Sequence, residues 1–308
     1  MIDNQSNNIV IAWDFDGTLT PQDSTTEVIS FLKEEEKDAA EKFWKHVKSF
    51  SKEQEDFKEY LPAVDAPIWM YSLSKIANDL NIPLNEDFFQ EYISQKIKLF
   101  DNVIPFLQEI KKLENEKRFK DCNIKIHHFI VSAGLRDLIK LIFPEGLIRY
   151  IFGCRYQSVS YEENVVKIEN IPVFCIDETV KTRALFEISK GAFCTKNIKV
   201  NTKISDDKYW APFNNFIYIG DGDTDIPALS LTRTKGGLGI VVYNKKKPLT
   251  DIKEKLLTMS ADKRADLITP ADFKINGELY TYITNRCYQI LQRYEVEYIF
   301  KKNLNSRL

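Results

Sequence analysis

The sequence lacks any long apolar run, and no stretch approaches the roughly 18 uncharged residues of a membrane-spanning helix. It also lacks an excess of either charge, because 43 Lys and Arg stand against 45 Asp and Glu for a formal net charge of -2. That balance offers no general attraction to nucleic acid or to an anionic membrane, so we expect neither as a partner. The first residues, MIDNQSNN, have no basic start followed by an apolar stretch, so we expect a cytoplasmic protein rather than a secreted one.

Cysteine and histidine are too few or too scattered for a disulfide framework or a zinc site. The five cysteines are odd in number and never form a C-x-x-C pair, which fits a reducing compartment. The three histidines cannot supply a metal cluster by themselves, so any metal would have to be held by oxygen. With 44% apolar and 29% charged residues over 308 positions, the composition is that of a globular protein with room for about two domains.

Glycine is absent between Gly17 and Gly134, and this gap carries helical periodicity instead of frequent turns. Apolar residues recur at i, i+3 and i+4 spacing around positions 28–32, 43–50, 73–80 and 88–93. Prolines at positions 62, 67 and 83 fit helix boundaries. The pattern predicts a compact helical unit over residues 21–100.

The flanking sequence alternates apolar runs with helical patterns. Continuous apolar runs, typical of strands covered on both faces, lie at 9–12, 126–131, 216–219 and 238–242. Helical patterns follow or precede them at 103–110, 135–142 and 179–190, the last stopped by Gly191. The sequence therefore predicts an α/β fold, a Rossmann-like doubly wound parallel sheet. The core domain would comprise residues 1–20 and 101–308, with residues 21–100 as an inserted all-helical cap domain.

Two carboxylates, Asp14 and Asp16, follow the first predicted strand in the segment Asp-Phe-Asp-Gly-Thr. Alternate side chains of a strand diverge, but a backbone turn after Asp14, with Gly17 supplying the freedom, would bring both to one point. Asp14 could then attack phosphorus, and Asp16 could protonate the leaving oxygen and later deprotonate water. A calcium loop or a plain turn is an alternative for this segment alone.

Two further segments offer groups that bind phosphate. Ser132, followed by Ala133 and Gly134, comes where the second strand is expected to pass into a helix, so its hydroxyl and the amides that follow could hold phosphate oxygens. A simple helix cap explains the same serine equally well. Lys181 by itself would be a solvated surface lysine, and its functional interpretation depends on the other segments.

The third predicted strand leads into an acidic segment, Gly220-Asp221-Gly222-Asp223-Thr224-Asp225. Three carboxylates within five residues repel one another unless a cation is present. Oxygen ligands beside glycines suit Mg²⁺, whereas an EF-hand lacks its twelfth-position glutamate here, and a plain acidic turn is the alternative. Because ligands bind beyond the carboxyl ends of parallel strands, all four segments are expected to meet at one sheet edge. Together they provide what phosphoryl transfer requires.

At these residues the sequence resembles the haloacid dehalogenase-like hydrolase superfamily, and most closely its phosphoserine-phosphatase-like branch. The matching segments are DFDGT at 14–18, VSAG at 131–134, KTRALFEISKG at 181–191 and GDGDTD at 220–225. The resemblance implies Mg²⁺ dependence and an aspartyl-phosphate intermediate. It also places the helical insertion where a cap closes over substrate, with Thr20, Asp23, Ser24 and Thr25 near its hinge and the leaving group.

The resemblance also implies roles residue by residue. Asp14, Asp16 and Lys181 would be catalytic; Gly17, Thr18, Ser132, Ala133, Gly134 and Lys181 would bind phosphate; Asp14, Asp16 (through its carbonyl) and Asp221 would hold the metal; and Asp225 and Asp223 would support the site. The expected function is a Mg²⁺-dependent phosphatase acting on a small phosphorylated metabolite. A phosphotransferase or mutase on the same site and a non-catalytic phosphate-binding scaffold remain as alternatives.

Overall fold

The computed structural model of the chain describes residues 7–56, 65–162, 166–205, 208–248, 250, 253, 257, 259–260 and 264–305. Its strands form one seven-stranded sheet in the order β4-β3-β2-β1-β5-β6-β7, and all neighbours are parallel except the antiparallel pair β3 and β4. The strands are β1 (Asn7–Trp13), β2 (Ile124–Leu135), β3 (Ile148–Glu162), β4 (Val166–Phe174), β5 (Phe216–Gly220), β6 (Leu238–Tyr243) and β7 (Leu267–Pro270). The predicted fold class, an α/β sheet, is confirmed.

The strand order places β1 between β2 and β5, so the chain crosses from one side of β1 to the other. Residues 9–13 of β1 are fully buried, as expected for a central strand covered on both faces. A crevice forms beyond the carboxyl ends of strands where the order reverses in this way. The carboxyl ends of β1, β2 and β5 therefore lie at one edge of the sheet. The strands predicted at 9–12, 126–131 and 216–219 are confirmed as β1, β2 and β5.

Helices occupy the chain between β1 and β2, and no strand occurs among the described residues 21–100. They are α1 (Ser24–Glu35), α2 (Ala39–Asp56), α3 (Asp65–Asp79) and α4 (Glu86–Phe88), the last continuing as a π-turn (Phe89–Ile93) and a 3₁₀ turn (Ser94–Lys96). The expectation of helices in this segment is met by the structure, whereas its boundaries as a separate cap domain stay a prediction. Pro62 lies outside the described residues.

The remaining helices flank the sheet. They are α5 (Val103–Lys112), α6 (Lys117–Asp121), α7 (Arg136–Lys140), α8 (Glu178–Lys190), α9 (Ile226–Thr234) and α10 (Glu278–Asn305). Helix α8 ends at Gly191, whose φ of +74° is the left-handed conformation that glycine adopts most readily, as predicted. None of the helices in the described part of the chain combines the length and apolar character that crossing a membrane requires.

A hairpin of β3 and β4 forms one end of the sheet and packs against α3. The side-chain oxygens of Asn81 and Asn78 accept 2.8 Å hydrogen bonds from the backbone N–H groups of Ile168 and Asn170 on β4. The buried side chain of Asn170 in turn donates to the carbonyl of Ile82 and accepts from the N–H of Leu84. These hydrogen bonds join the helical segment to the hairpin, and they give the buried polar groups at this contact their partners.

A buried histidine lies where β2 meets the helices behind the sheet. His128 accepts a 3.1 Å hydrogen bond at Nδ1 from the Trp13 indole, and its Nε2 lies 3.0 Å from the carbonyl of Leu107, which only a protonated Nε2 can satisfy. The ring is therefore neutral with its proton on Nε2. Burial lowers the pKa of His128 to about 4, with a smaller contribution from Lys111, although the bond to Leu107 opposes it.

Candidate active site

The end of β1 turns so that Asp14 and Asp16 face the same small cavity. The N–H of Asp14 donates a 2.8 Å hydrogen bond to the carbonyl of Ile219, which extends the β1–β5 pairing by one residue. Beyond it the backbone turns, and Gly17 has a φ of +78° that favours glycine. A Cβ at Gly17 would overlap the carboxylate of Asp221, so the turn also brings the first and last acidic segments into contact.

The cavity has a volume of about 160 Å³ and is built from the ends of all three central strands, from α8 and from the helical segment. Its lining residues are Asp14, Asp16, Asp23, Thr25, Trp69, Ser132, Ala133, Lys181, Asp221 and Thr224. Seven of these residues lie in the four segments that the sequence singled out. The structure thus brings together side chains that are more than two hundred positions apart in the chain.

Lys181 is buried at the base of the cavity, between two carboxylates. Its Nζ lies 3.1 Å from Oδ1 of Asp14 and 2.7 Å from Oδ1 of Asp225. The lysine is in the first turn of α8, which begins there because Asp177 caps the N–H groups of Thr179 and Val180. Burial lowers the pKa of Lys181, but the two carboxylates outweigh burial and raise it, so the side chain is a fixed cation.

Asp225 is completely buried and anchors the acidic segment. In addition to the contact with Lys181, the Asp225 carboxylate accepts a 2.6 Å hydrogen bond from the Tyr218 hydroxyl on β5 and a 3.1 Å hydrogen bond from the N–H of Gly222. With these three donors, the carboxylate holds the loop after β5 in place. The supporting role that the sequence predicts for Asp225 stays a prediction.

Carboxylate oxygens of Asp14, Asp221 and Asp225 lie within 4.8 Å of one another. Burial, and then the charge of Asp225, raise the pKa of Asp14 well above its usual range, and Lys181 only partly offsets this effect. Such a cluster is stabilised by a hard divalent cation, which prefers oxygen ligands. The donor set therefore fits Mg²⁺. Because Asp225 already has three donors, Asp14 and Asp221 are the carboxylates best suited to hold the ion.

The carboxylate of Asp16 faces the start of α1. Its two oxygens accept hydrogen bonds of 2.8 Å from the N–H of Ser24 and 3.0 Å from the Ser24 hydroxyl. Burial, followed by the charge of Asp23, raises the pKa of Asp16 to about 7, although both bonds from Ser24 oppose the shift. A carboxyl group with this pKa can exchange a proton near neutral pH. Its predicted metal contact through the backbone carbonyl stays a prediction.

Ser132 lines the cavity, but β2 continues past it to Leu135 through an irregularity, and helix α7 begins only at Arg136. The sequence predicts that the strand ends before Ser132, which is wrong because the strand bulges there and continues, whereas the predicted helix pattern from residue 135 is one residue from the observed start. The Ser132 hydroxyl accepts a 3.0 Å hydrogen bond from the N–H of Gly134. A Cβ on Gly134 would lie 2.9 Å from Oδ2 of Asp16, so this glycine allows the two segments to meet.

The other predicted site residues lie around this cavity. Gly17, Thr18 and Gly134 are not among the described residues that line it, although Gly17 and Gly134 contact residues that do. The buried hydroxyl of Thr18 has no hydrogen-bond partner among the described residues. The side chain of Asp223 lies outside the described residues, so its predicted supporting role is untested.

Two residues near the site were missed in the sequence. Tyr218 holds Asp225, and its only signal was a hydroxyl group within an otherwise apolar strand. Trp69 reaches the cavity from α3 in the helical segment, where its spacing resembles that of a core residue. Sequence periodicity could not separate a tryptophan facing the cavity from one packed in a helical core.

Comparisons with known proteins give partial matches. No family model matches the chain. An uncharacterized protein of Borreliella burgdorferi is 31% identical over 154 residues, which cover 45% of this chain and 50% of that protein. The chain thus spans about half the length of the curated relative it matches.

Solved structures similar to the chain include several hydrolases. One is a HAD family hydrolase from Salmonella enterica serovar Typhi, 16% identical, with a TM-score of 0.44 over 81% of this chain and 66% of that one. A substrate-bound phosphoserine phosphatase is 20% identical, with a TM-score of 0.43 over 90% and 99% of the two chains. A cytosolic 5'-nucleotidase IIIB bound to cytidine is 11% identical, with a TM-score of 0.47 over 97% and 88%.

The strand order and the placement of the motifs bring the predicted segments together at one edge of the sheet. Three segments follow the carboxyl ends of β1, β2 and β5 and the fourth is the first turn of α8, and together they surround one buried carboxylate, Asp14. This α/β fold, with its cavity at the ends of the central strands, agrees with the fold that the resemblance implies.

Proposed function

We propose that the chain is a Mg²⁺-dependent phosphatase that hydrolyses a small phosphomonoester through an aspartyl phosphate on Asp14. The observation that carries the proposal is the buried carboxylate of Asp14, which faces a cavity and lies 3.1 Å from the fixed cation Lys181. A carboxylate can attack phosphorus only where the repulsion between it and the phosphate is neutralised. Lys181 supplies one positive charge at that point.

Mg²⁺ bound by Asp14, Asp221 and the carbonyl of Asp16 would supply further positive charge to the phosphate oxygens. The Ser132 hydroxyl and the N–H of Ala133 would orient the phosphate, with Gly17, Thr18 and Gly134 beside them. Asp223 and Asp225 would support this arrangement. A phosphate held in line with Asp14 needs little further chemistry from the protein, because positioning and charge lower the barrier.

Two proton transfers by Asp16 complete the reaction. In the first step an oxygen of Asp14 bonds to phosphorus while the bond to the leaving oxygen breaks, and Asp16 gives that oxygen its proton. In the second step Asp16 takes a proton from water, whose oxygen attacks phosphorus and releases Asp14 and inorganic phosphate. The pKa of about 7 at Asp16 supports both roles, because neither protonation state is strongly disfavoured near neutral pH.

The helices between β1 and β2 would act as a cap over this site. Trp69 of α3 lines the same cavity as Asp14, so the helical segment reaches the point where phosphorus would transfer. Closure would exclude water during the first step, and opening would release product. Five free cysteines fit the predicted cytoplasmic location, where thiols stay reduced.

The proposal is tested by trapping the intermediate. Acid quenching of the protein with a ³²P-labelled phosphoester and Mg²⁺ should leave label on the chain, and hydroxylamine should remove it. Asp14→Asn should lose the label and at least about a thousandfold in phosphate release, because the nucleophile is gone. The matched control is Asp101→Asn, since Asp101 is exposed and outside the cavity. Full activity of Asp14→Asn, or activity unaffected by EDTA, would refute the nucleophile or the metal, respectively.

A further inference from the structure

The cavity beside Asp14 has room for only a small leaving group. Its volume of about 160 Å³ is well below the roughly 300–1,000 Å³ of pockets that hold drug-sized ligands. Phosphate itself takes part of this space, next to Lys181 and Ser132. The walls left for the alcohol part of the ester are Asp23 and Thr25 at the start of α1 and Trp69 on α3. The inference drawn from these walls rests on the proposed function.

The charges around the cavity disfavour a second anionic group on the substrate. Besides Asp14 and Asp221, Asp23 and Asp16 contribute carboxyl groups to its lining, and Lys181 is the one lysine or arginine among the described lining residues. Lys181 already contacts two carboxylates. A carboxylate or second phosphate on the leaving group would therefore meet like charge without a partner.

Asp23 and Trp69 instead suit a positive charge. Asp23 is exposed at the cavity mouth, where its Oδ1 accepts the N–H of Thr25 as the cap of α1, so the carboxylate is fixed in position. Trp69, half-buried, approaches from a different helix, and the face of a tryptophan ring is the best aromatic partner for an ammonium group. A neutral nucleoside could stack on Trp69 as well, but it would exceed the cavity and would gain nothing from Asp23.

We propose that the substrate is the phosphomonoester of a small amino alcohol, whose ammonium group is recognised by Trp69 and Asp23 and which carries no carboxylate. The ammonium lies a few bonds from phosphorus in such a molecule, which suits a cavity of only about 160 Å³. Binding of this group would add to the affinity for the substrate without touching the reacting atoms.

The test compares substrates that differ in one charge. Phosphocholine and its neutral isostere, 3,3-dimethylbutyl phosphate, have the same shape, so the ratio of their kcat/KM values measures recognition of the cation alone. We expect the wild-type ratio to be at least tenfold in favour of phosphocholine. Phosphoethanolamine should exceed phosphoserine, because the serine ester adds a carboxylate.

Variants assign this preference to the two residues. Asp23→Asn keeps the helix cap, since asparagine caps as well as aspartate does, but it removes the charge, so the ratio should fall at least threefold. Trp69→Leu should lower the ratio similarly, and Trp69→Tyr should retain part of it because the aromatic face remains. Asp101→Asn, outside the cavity, should leave the ratio at its wild-type value.

The outcomes separate this inference from the proposed function. Equal kcat/KM for phosphocholine and its isostere, or a preference for phosphoserine or a nucleoside monophosphate, would overturn the amino-alcohol assignment while phosphate release continued to support a phosphatase. Loss of preference in Asp101→Asn to the same extent as in Asp23→Asn would also overturn it. Absence of phosphate release from every ester, including p-nitrophenyl phosphate, would refute the phosphatase and the assignment together.

Discussion

The hydroxyl of Tyr156 on β3 donates a 2.6 Å hydrogen bond to the backbone carbonyl of Met70 on α3. Met70 follows Trp69 directly, so a bond from the sheet hairpin fixes the helix beside the residue that faces the cavity. Both ends of the bond are buried, where a hydrogen bond constrains geometry most strongly. The hairpin thus contributes to the position of a wall of the site without contacting the cavity itself.

Removal of this bond is expected to loosen that wall. Tyr156→Phe should lower the free energy of unfolding by about 1 kcal/mol, the usual net contribution of one hydrogen bond. It should also raise KM for the phosphoester severalfold with a smaller change in kcat, since Asp14 and Lys181 are untouched. Urea denaturation and steady-state kinetics measure the two effects. The control is Tyr282→Phe, because Tyr282 is exposed on α10; an equal KM change there would show that the bond to Met70 has no positioning role.

Gly17 permits a close contact that a larger residue would block. Gly17→Ala would place a Cβ against the Asp221 carboxylate and strain a φ of +78°, so we expect phosphate release to fall at least about a hundredfold. Gly146→Ala is a matched control, because Gly146 has the same φ of +78° but open space around its Cα. Both variants should lose about 1 kcal/mol of stability from backbone strain. Similar activity losses in the two would contradict the role of the Gly17–Asp221 contact.

Lys181 holds two buried carboxylates, so its removal should destabilise the fold as well as the reaction. Lys181→Met leaves Asp14 and Asp225 without a cation and should cost about 3–5 kcal/mol in urea denaturation. Adding Asp225→Asn should restore part of that stability but not activity, because the phosphate still lacks its positive charge. Lys120→Met, at an exposed helix position, should have little effect. A stable, active Lys181→Met would contradict this account.

His128 should make the protein sensitive to acid. Its folded pKa of about 4 lies below the ordinary value of 6.5, so the folded state binds fewer protons, and stability present above pH 6.5 is lost as pH falls towards 4. The loss amounts to about 3 kcal/mol for this residue. His128→Gln should therefore show a shallower decline in unfolding free energy between pH 7 and 4. His46→Gln, near the surface, should keep most of the wild-type dependence of unfolding free energy on pH. Equal pH dependence in the wild type and both variants would refute the assignment of this acid sensitivity to His128.

The sequence predicted β1, β2, β5 and β6 well because each of these strands contains an uninterrupted apolar run. The segments 9–12, 126–131, 216–219 and 238–242 all lie in parallel strands. Strands β3, β4 and β7 were missed. Ile171 and Val173 of β4 are exposed at the end of the sheet, so the hairpin has no such run, and β7 is only four residues long.

The site was predictable to the extent that its residues lie in short motifs. Asp14, Asp16, Ser132 and Asp221 meet because strand ends of one sheet edge converge whatever the intervening sequence, and Lys181 joins them from the first turn of α8. Trp69 could not be found in this way. Its place depends on how α3 packs against the hairpin, which is a matter of tertiary contacts rather than of local pattern.

The asparagines that join α3 to β4 also bear on how the protein behaves at high concentration. An outermost strand offers unpaired amides to which another chain could add a strand of its own. Here Asn81 and Asn78 occupy the amides of Ile168 and Asn170, and Pro172, two residues further on, has none to offer. Copies of the chain therefore meet two occupied amides and one missing amide along β4, which disfavours fibrillar self-association through this border.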